Sequence, residues 1–173
     1  MLRFYYVVAC FMIMTSVLIG VLWCVETFRL PGRRAIGASY FRLLARLLRV
    51  RVKVVGTPLT GKPVLIVSNH VSWVDIPAIG SIMPLVFISK SEVRKWPLVG
   101  PAAELVHTIF VDRSRRQKTA EVNATIARKM GDGDPVVLFA EGTSSDGNRV
   151  LQFRSALVGA ASEVLTQGGG EVW

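Results

Sequence analysis

The stretch PVLIVSNHVSWVDIPAI, residues 63–79, decides the fold. Its first six residues, PVLIVS, read as a strand, and the five before Ser68 are apolar without alternation, as in a strand covered on both faces by the helices of an α/β fold. The run stops at Asn69 and His70, and Asp75 follows five positions later, where IPAIGSI begins a short helix. Two proton-handling groups thus stand where a strand hands over to a helix. In open α/β sheets, ligands bind at the carboxyl ends of the strands.

Outward from that stretch, VKVVG (52–56), LVFISK (85–90), HTIFVD (107–112) and PVVLFA (135–140) read as further strands rich in Val, Ile and Phe. Between them, SEVRKWPLVGPAAELV (91–106) reads as helix interrupted at Pro97 and Pro101, and RRQKTAEVNATIARKM (115–130) as an amphipathic helix. FRSALVGAASEVL (153–165) reads as a last helix. The expected fold is α/β, a mixed sheet flanked by helices, and 173 residues allow one domain with a substantial core.

Residues 4–25, FYYVVACFMIMTSVLIGVLWCV, carry no charge. As a helix they reach about 33 Å, enough for the hydrocarbon core of a bilayer. The run is longer than a signal-peptide core, no small-x-small cleavage site follows it, and it is apolar all round, unlike an ordinary core helix. Its two cysteines, Cys10 and Cys24, suggest neither a disulfide framework nor a zinc site. Residues 1–60 hold nine Lys/Arg against one acid, whereas residues 61–173 hold twelve against eleven, so the net charge of +9 belongs to the N-terminal third. A basic region directly behind an apolar span, without a base-reading motif, points to an anionic membrane surface rather than nucleic acid. Arg29, Arg33 and Arg34 would keep the rest of the chain cytoplasmic. Within RRAIGASYFRLLARLLRV, Arg42, Arg46 and Arg49 recur at helical spacing beside Phe41, Leu44, Leu47 and Leu48. That helix is either interfacial, with arginines toward lipid phosphates, or an ordinary surface helix of the domain. The chain accordingly divides into a membrane anchor (1–30), a basic amphipathic interfacial helix (31–50) and a catalytic domain (51–173).

The chemistry clusters after three strands: Asn69, His70 and Asp75; Asp112 and Arg113; Glu141, Gly142 and Thr143. His70 is either a general base whose second ring nitrogen is held by Asp75, or a residue that merely ends the strand. No GxSxG elbow surrounds any serine, which argues against a Ser-His-Asp hydrolase. Two histidines and scattered acids make no metal ligand set.

NHVSWVD (69–75), IFVDR (109–113) and FAEGTSSDG (139–147) together resemble, in order, three sequence blocks of the glycerolipid acyltransferases, the 1-acylglycerol-3-phosphate O-acyltransferase type with its HxxxxD motif. The resemblance implies that His70 deprotonates a lyso-lipid hydroxyl, that Asp75 orients His70, and that the hydroxyl attacks the thioester of acyl-CoA or acyl carrier protein. It implies no cofactor beyond that donor, and a bacterial inner membrane as the setting. Asn69, Arg113, Glu141, Gly142 and Thr143 match positions that bind the acceptor: Arg113 by charge-assisted contact with a phosphate or carboxylate, Gly142 by close backbone approach. Glu141 fits the ordering of its own loop better than contact with an anion. Ser144 stands where many members carry arginine; 1-acylglycerol-3-phosphate, with Arg149 or Arg154 compensating, is still the first expectation for the acceptor, and a lyso-ornithine lipid is the alternative. QGGGEVW precedes the family's fourth block, so the chain is expected to be incomplete at its C terminus, which raises a further alternative, an inactive membrane-anchored lipid-binding remnant.

Overall fold

The computed structural model describes residues 1–58, 64–112, 119–153 and 171–172. In chain order these form α1 (Leu2–Thr27), α2 (Arg33–Leu47), β1 (Val64–Ser68), α3 (Asp75–Gly80), β2 (Val86–Lys90), a 3-10 helix (Ser91–Lys95), α4 (Val99–Leu105), β3 (Ile109–Val111), α5 (Thr119–Gly131), β4 (Val136–Phe139) and β5 (Glu171–Val172). The strands make one sheet in the order β3-β2-β4-β1-β5, and its ladders are parallel.

The uninterrupted apolar strands follow from burial on both sides. All four residues of β4 are buried. Val136 and Leu138 pack with Leu65, Val86 and Ile109 against Ile126 and Met130 of α5. Val137 and Phe139 join Phe87, Ile66, Phe41 of α2, and Ile76 and Ile79 of α3 on the other face. The sheet is therefore the middle of three layers. On the α2 side the approach is close: a Cβ at Gly80 would come within 2.5 Å of the Phe41 ring.

Two expectations change. VKVVG is not a strand; Val52, Val54 and Val55 are exposed, and the β1 edge pairs instead with Glu171 and Val172 of β5. Pro101 does not interrupt a helix, because it lies in the first turn of α4, where an N–H would have no intrahelical acceptor. Pro97 does fall in the break between the 3-10 helix and α4. The helix expected over 153–165 lies outside the described residues except for Phe153, and residues 115–118 of the helix expected before β4 also lie outside them.

The 26 residues of α1 are long and apolar enough to cross a membrane. Cys10 and Cys24 are both free and, 14 positions apart on one helix, stand about 21 Å from each other. Thr15, Leu18, Leu22 and Val25 are buried at helical spacing, while Phe4, Tyr5, Ile13, Val17 and Trp23 are exposed. Leu18 and Leu22 pack with Ala102 of α4, beside Ile36 and Tyr40 of α2, and the Thr15 hydroxyl shares a 2.8 Å hydrogen bond with that of Tyr40. Small residues on α2, Gly37, Ala38 and Ala45, are buried between its neighbours. Of its arginines, Arg34 pairs with Asp134 at 2.6 Å and Arg42 donates to the Ser81 carbonyl at 3.1 Å, whereas Arg46 and Arg49 are exposed.

Where α1 ends, a polar cluster ties it to the domain. His107 Nε2 lies 3.1 Å from Glu26 Oε1, and Lys129 Nζ lies 2.9 Å from His107 Nδ1. Lys129 can only donate, so Nδ1 accepts and the ring is neutral, with its proton on Nε2 directed at Glu26. Burial holds the His107 pKa below its ordinary value of 6.5; Arg33 and Lys129 push the same way, against an opposing pull from Glu26. The unfolded chain thus takes up this proton first as pH falls, so stability present above about pH 6.5 is lost below it. Part of the fall in Tm between about pH 7.5 and pH 5 should disappear in His107→Asn. Asparagine tolerates the left-handed backbone there, where φ is 61°. A scan of Tm against pH for both proteins checks this; parallel curves would remove His107 as the source.

Candidate functional site

The site is built on the two central strands. The β1–β4 register sets Ser68 beside Phe139, and the Ala140 N–H donates to the Ser68 carbonyl at 3.1 Å. Two residues beyond this pair on each strand, His70 and Glu141 stand next to one another.

Each peptide group of His70 is held from the β4 side. Its N–H donates to Glu141 Oε2 at 2.9 Å, and its carbonyl accepts from the Ser145 N–H at 2.8 Å. Glu141 is 2% exposed, and its other oxygen accepts the Leu151 N–H at 2.7 Å. A buried carboxylate with both oxygens bonded costs far less than an unpaired one, and here it joins the residue before Val71 to the far end of the 141–151 loop. Gly142 turns that loop at φ 72°, and its N–H donates to the Phe139 carbonyl at 3.1 Å. Gly147, at φ 79°, folds the loop back so closely that a Cβ would lie 3.2 Å from Val71 Cγ1.

The His70 side chain is held separately. Its Nδ1 lies 2.9 Å from Asp75 Oδ2, and the same oxygen accepts the N–H groups of Val71 at 2.7 Å and Ser72 at 2.9 Å. Asp75 opens α3, so the turn that starts the helix brings the five-residue spacing into contact. A carboxylate accepts only, so Nδ1 carries the proton and Nε2 keeps a free lone pair. Side-chain exposures of 21% for His70 and 26% for Asp75 leave the pair within reach of a ligand. The imidazole also stacks on Phe139, with centroids 4.1 Å apart and planes 25° from parallel.

Of the residues singled out in the sequence, His70, Asp75, Glu141 and Gly142 come together, and Asn69 and Thr143 lie exposed beside them. Arg113 lies outside the described residues. The end of β3 that precedes it is three strand positions from β1, about 14 Å at the usual spacing. Asp146, exposed in the 141–151 loop, is held below the ordinary carboxyl range by the Asn148 backbone N–H and then by the Asn148 side chain. Phe139, Ser145 and Leu151 went unnoticed in the sequence. The last two act through backbone N–H groups, which no residue type advertises, and Phe139 is one apolar residue in an apolar strand.

Residues 49–169 match the family described as Acyltransferase. The lyso-ornithine lipid O-acyltransferase of Brucella abortus (strain 2308) is 42% identical over 97% of this chain and 63% of its own length. The corresponding Rhizobium meliloti (strain 1021) enzyme is 41% identical over 80% and 47%. The 1-acyl-sn-glycerol-3-phosphate acyltransferase of Neisseria gonorrhoeae is 35% identical over 62% and 43%. The chain thus spans between 43% and 63% of the length of these curated relatives. Among solved structures, the 1-acyl-sn-glycerophosphate acyltransferase PlsC from Thermotoga maritima shares the fold, with a TM-score of 0.61 at 22% identity over 92% of this chain and 72% of that one. With its α/β sheet and a match to the family over most of its length, the chain belongs to the Acyltransferase family.

Proposed function

We propose that the protein is a lyso-lipid O-acyltransferase that uses His70 as general base. The 2.9 Å contact between His70 Nδ1 and Asp75 Oδ2 carries this reading, because it leaves Nε2 as the proton acceptor. Nε2 removes the proton of a lyso-lipid hydroxyl while the oxygen attacks the thioester carbonyl of acyl-CoA or acyl carrier protein. The tetrahedral adduct collapses, the C–S bond breaks, and the imidazolium returns the proton to the departing thiolate. Asp75 keeps the ring oriented and balances its transient charge. Transfer is direct, so neither a covalent enzyme intermediate nor a cofactor is required.

We place the acceptor's head group along the 141–151 loop, with Asn69, Gly142 and Thr143 beside it and Arg113 as an anion ligand. Glu141 orders this loop against His70. Ser144 supplies no cation where many family members have arginine, and Asp146 adds an anionic carboxylate two residues further on. That combination suits an acceptor with an ammonium group and opposes a bare phosphate, which together with the Brucella and Rhizobium relatives favours a lyso-ornithine lipid. The second reading is 1-acylglycerol-3-phosphate, favoured by the Neisseria relative. We assign residues 1–30 as anchor, 31–50 as the basic helix at the lipid surface and 51–173 as catalytic domain, in a bacterial inner membrane with the domain cytoplasmic. The exposed apolar surface of α1 and the exposed Arg46 and Arg49 support that arrangement.

Thiol release from acyl-CoA and from acyl carrier protein should depend on added lyso-lipid in membranes holding the protein. Loss of the base is expected to lower it about 10²- to 10⁴-fold in His70→Ala, and Asp75→Asn should fall in the same direction. Lyso-ornithine lipid should be preferred over lysophosphatidate, and Asp146→Asn should narrow the preference. Turnover unchanged in His70→Ala would end the general-base reading. Glu141→Gln necessarily points an amide NH₂ at the N–H of either His70 or Leu151, at a cost of about 1–3 kcal/mol. A Tm several degrees lower, with faster proteolysis of the 141–151 loop, is the expected outcome.

A further inference from the structure

The contact with Asp75 orients the His70 ring only within the tolerance of one hydrogen bond. Rotation about the Cβ–Cγ bond, a torsion with broad wells, can still tilt the ring within that tolerance, and Nε2 swings with it. Direct transfer requires Nε2 to meet a hydroxyl that is itself aimed at a carbonyl carbon, so ring orientation matters as much as ring position. One face of the ring rests on Phe139, 4.1 Å away and within 25° of parallel, and that contact narrows the swing.

Phe139 is itself fixed. It is 7% exposed, in a cluster with Phe87 and Val137 against Phe41, Ile66, Ile76 and Ile79. Its ring lies parallel to Phe87 at 6.2 Å and 10°, and Phe87 meets Phe41 edge-on at 5.7 Å and 77°. The Phe41 ring fills the space over Gly80, at the end of the helix that Asp75 begins. The surface under the imidazole is therefore core, unable to turn without disturbing the packing between β4, β2 and α2.

We propose that Phe139 is a positioning residue for the acyl-transfer reaction: its face fixes the plane of the His70 imidazole and so directs Nε2 at the acceptor hydroxyl. The hydrogen bond to Asp75 sets the tautomer and the approximate orientation, and the stack narrows that orientation. The consequence for catalysis rests on the acyltransferase reading; the orientation of the ring does not.

Three variants test it in the full chain. Phe139→Leu keeps an apolar side chain in the cluster but removes the flat face. Phe139→Tyr keeps the face. Val137→Ala loosens the same cluster, of which Val137 is a fully buried member, without altering the contact with His70. For Phe139→Leu we expect kcat to fall about tenfold to a hundredfold with the acceptor KM changed less than about twofold, as for a misaimed rather than absent base. Phe139→Tyr should restore most of the loss, and Val137→Ala should lower Tm while leaving kcat near that of the unaltered protein. The second readout is the NMR spectrum of the histidine rings in detergent micelles, simplified because the protein has two histidines. His107→Asn assigns the remaining signals to His70. Their ring protons should be shifted upfield by Phe139, keep that shift in Phe139→Tyr and lose it in Phe139→Leu. A Phe139→Leu protein with unchanged kcat, or a Val137→Ala protein with the same drop in kcat, would overturn the proposal, as would His70 ring signals that do not respond to Phe139→Leu. Failure of the acyltransferase reading looks different: the unaltered protein then shows no acceptor-dependent thiol release, and the ring signals alone decide whether Phe139 orients His70.

Discussion

The pairing of β1 with β4 is the constraint on which the rest of the site depends. Setting Ser68 beside Phe139 brings His70 next to Glu141 and puts the Phe139 ring on the same side of the sheet as α3. A slip of one residue would turn Phe139 toward α5 and break the contact between the Glu141 carboxylate and the His70 N–H, since side chains alternate strictly along a strand. Register is protected by burial. Val136 and Leu138 fill one layer and Val137 and Phe139 the other, so no shifted pairing satisfies either face.

Given that register, two acids do different work on one histidine. Glu141, nearly inaccessible, holds main-chain N–H groups and so fixes where the residue is. Asp75, partly exposed, accepts from the side chain and from the N–H groups of Val71 and Ser72, which fixes the tautomer and the turn together. Removing the first would loosen a loop; removing the second would release a ring. Separating the two tasks lets the backbone of His70 stay rigid while its imidazole remains open to a ligand at Nε2.

What could be read in the sequence depends on the range of the interactions. His70 and Asp75 are five residues apart and meet through one local turn, so their spacing was informative. The uninterrupted apolar runs of β1, β2 and β4 reported their burial on two faces. VKVVG has the same composition, yet becoming a strand also needs a free edge, and on the β1 side β5 holds it. Such competition between distant segments leaves no local trace. Pro101 misled for the opposite reason, since a proline is punctuation only when it falls outside the first turn. The role of Glu141 depends on N–H groups 71 residues before and 10 residues after it, and that of Phe139 on which face of β4 turns toward α3. Composition cannot show either.

The same packing bears on what α1 is. A simple tether could be exchanged for any apolar span, but half of this helix is bound to the domain through Thr15, Leu18, Leu22 and Val25, and at its end through Glu26. Its main partner, α2, faces α1 with Tyr40 and the sheet with Phe41, and these adjacent rings also meet each other at 5.5 Å. Phe41 in turn supports Phe87, and Phe87 supports the ring under His70. A continuous run of packed side chains therefore joins the apolar helix to the candidate base. The hydroxyl pair of Thr15 and Tyr40 is a directional link in it, fixing the rotation of α1 against α2 where apolar contacts alone would allow sliding. On this view the apolar helix is part of the scaffold that carries the site.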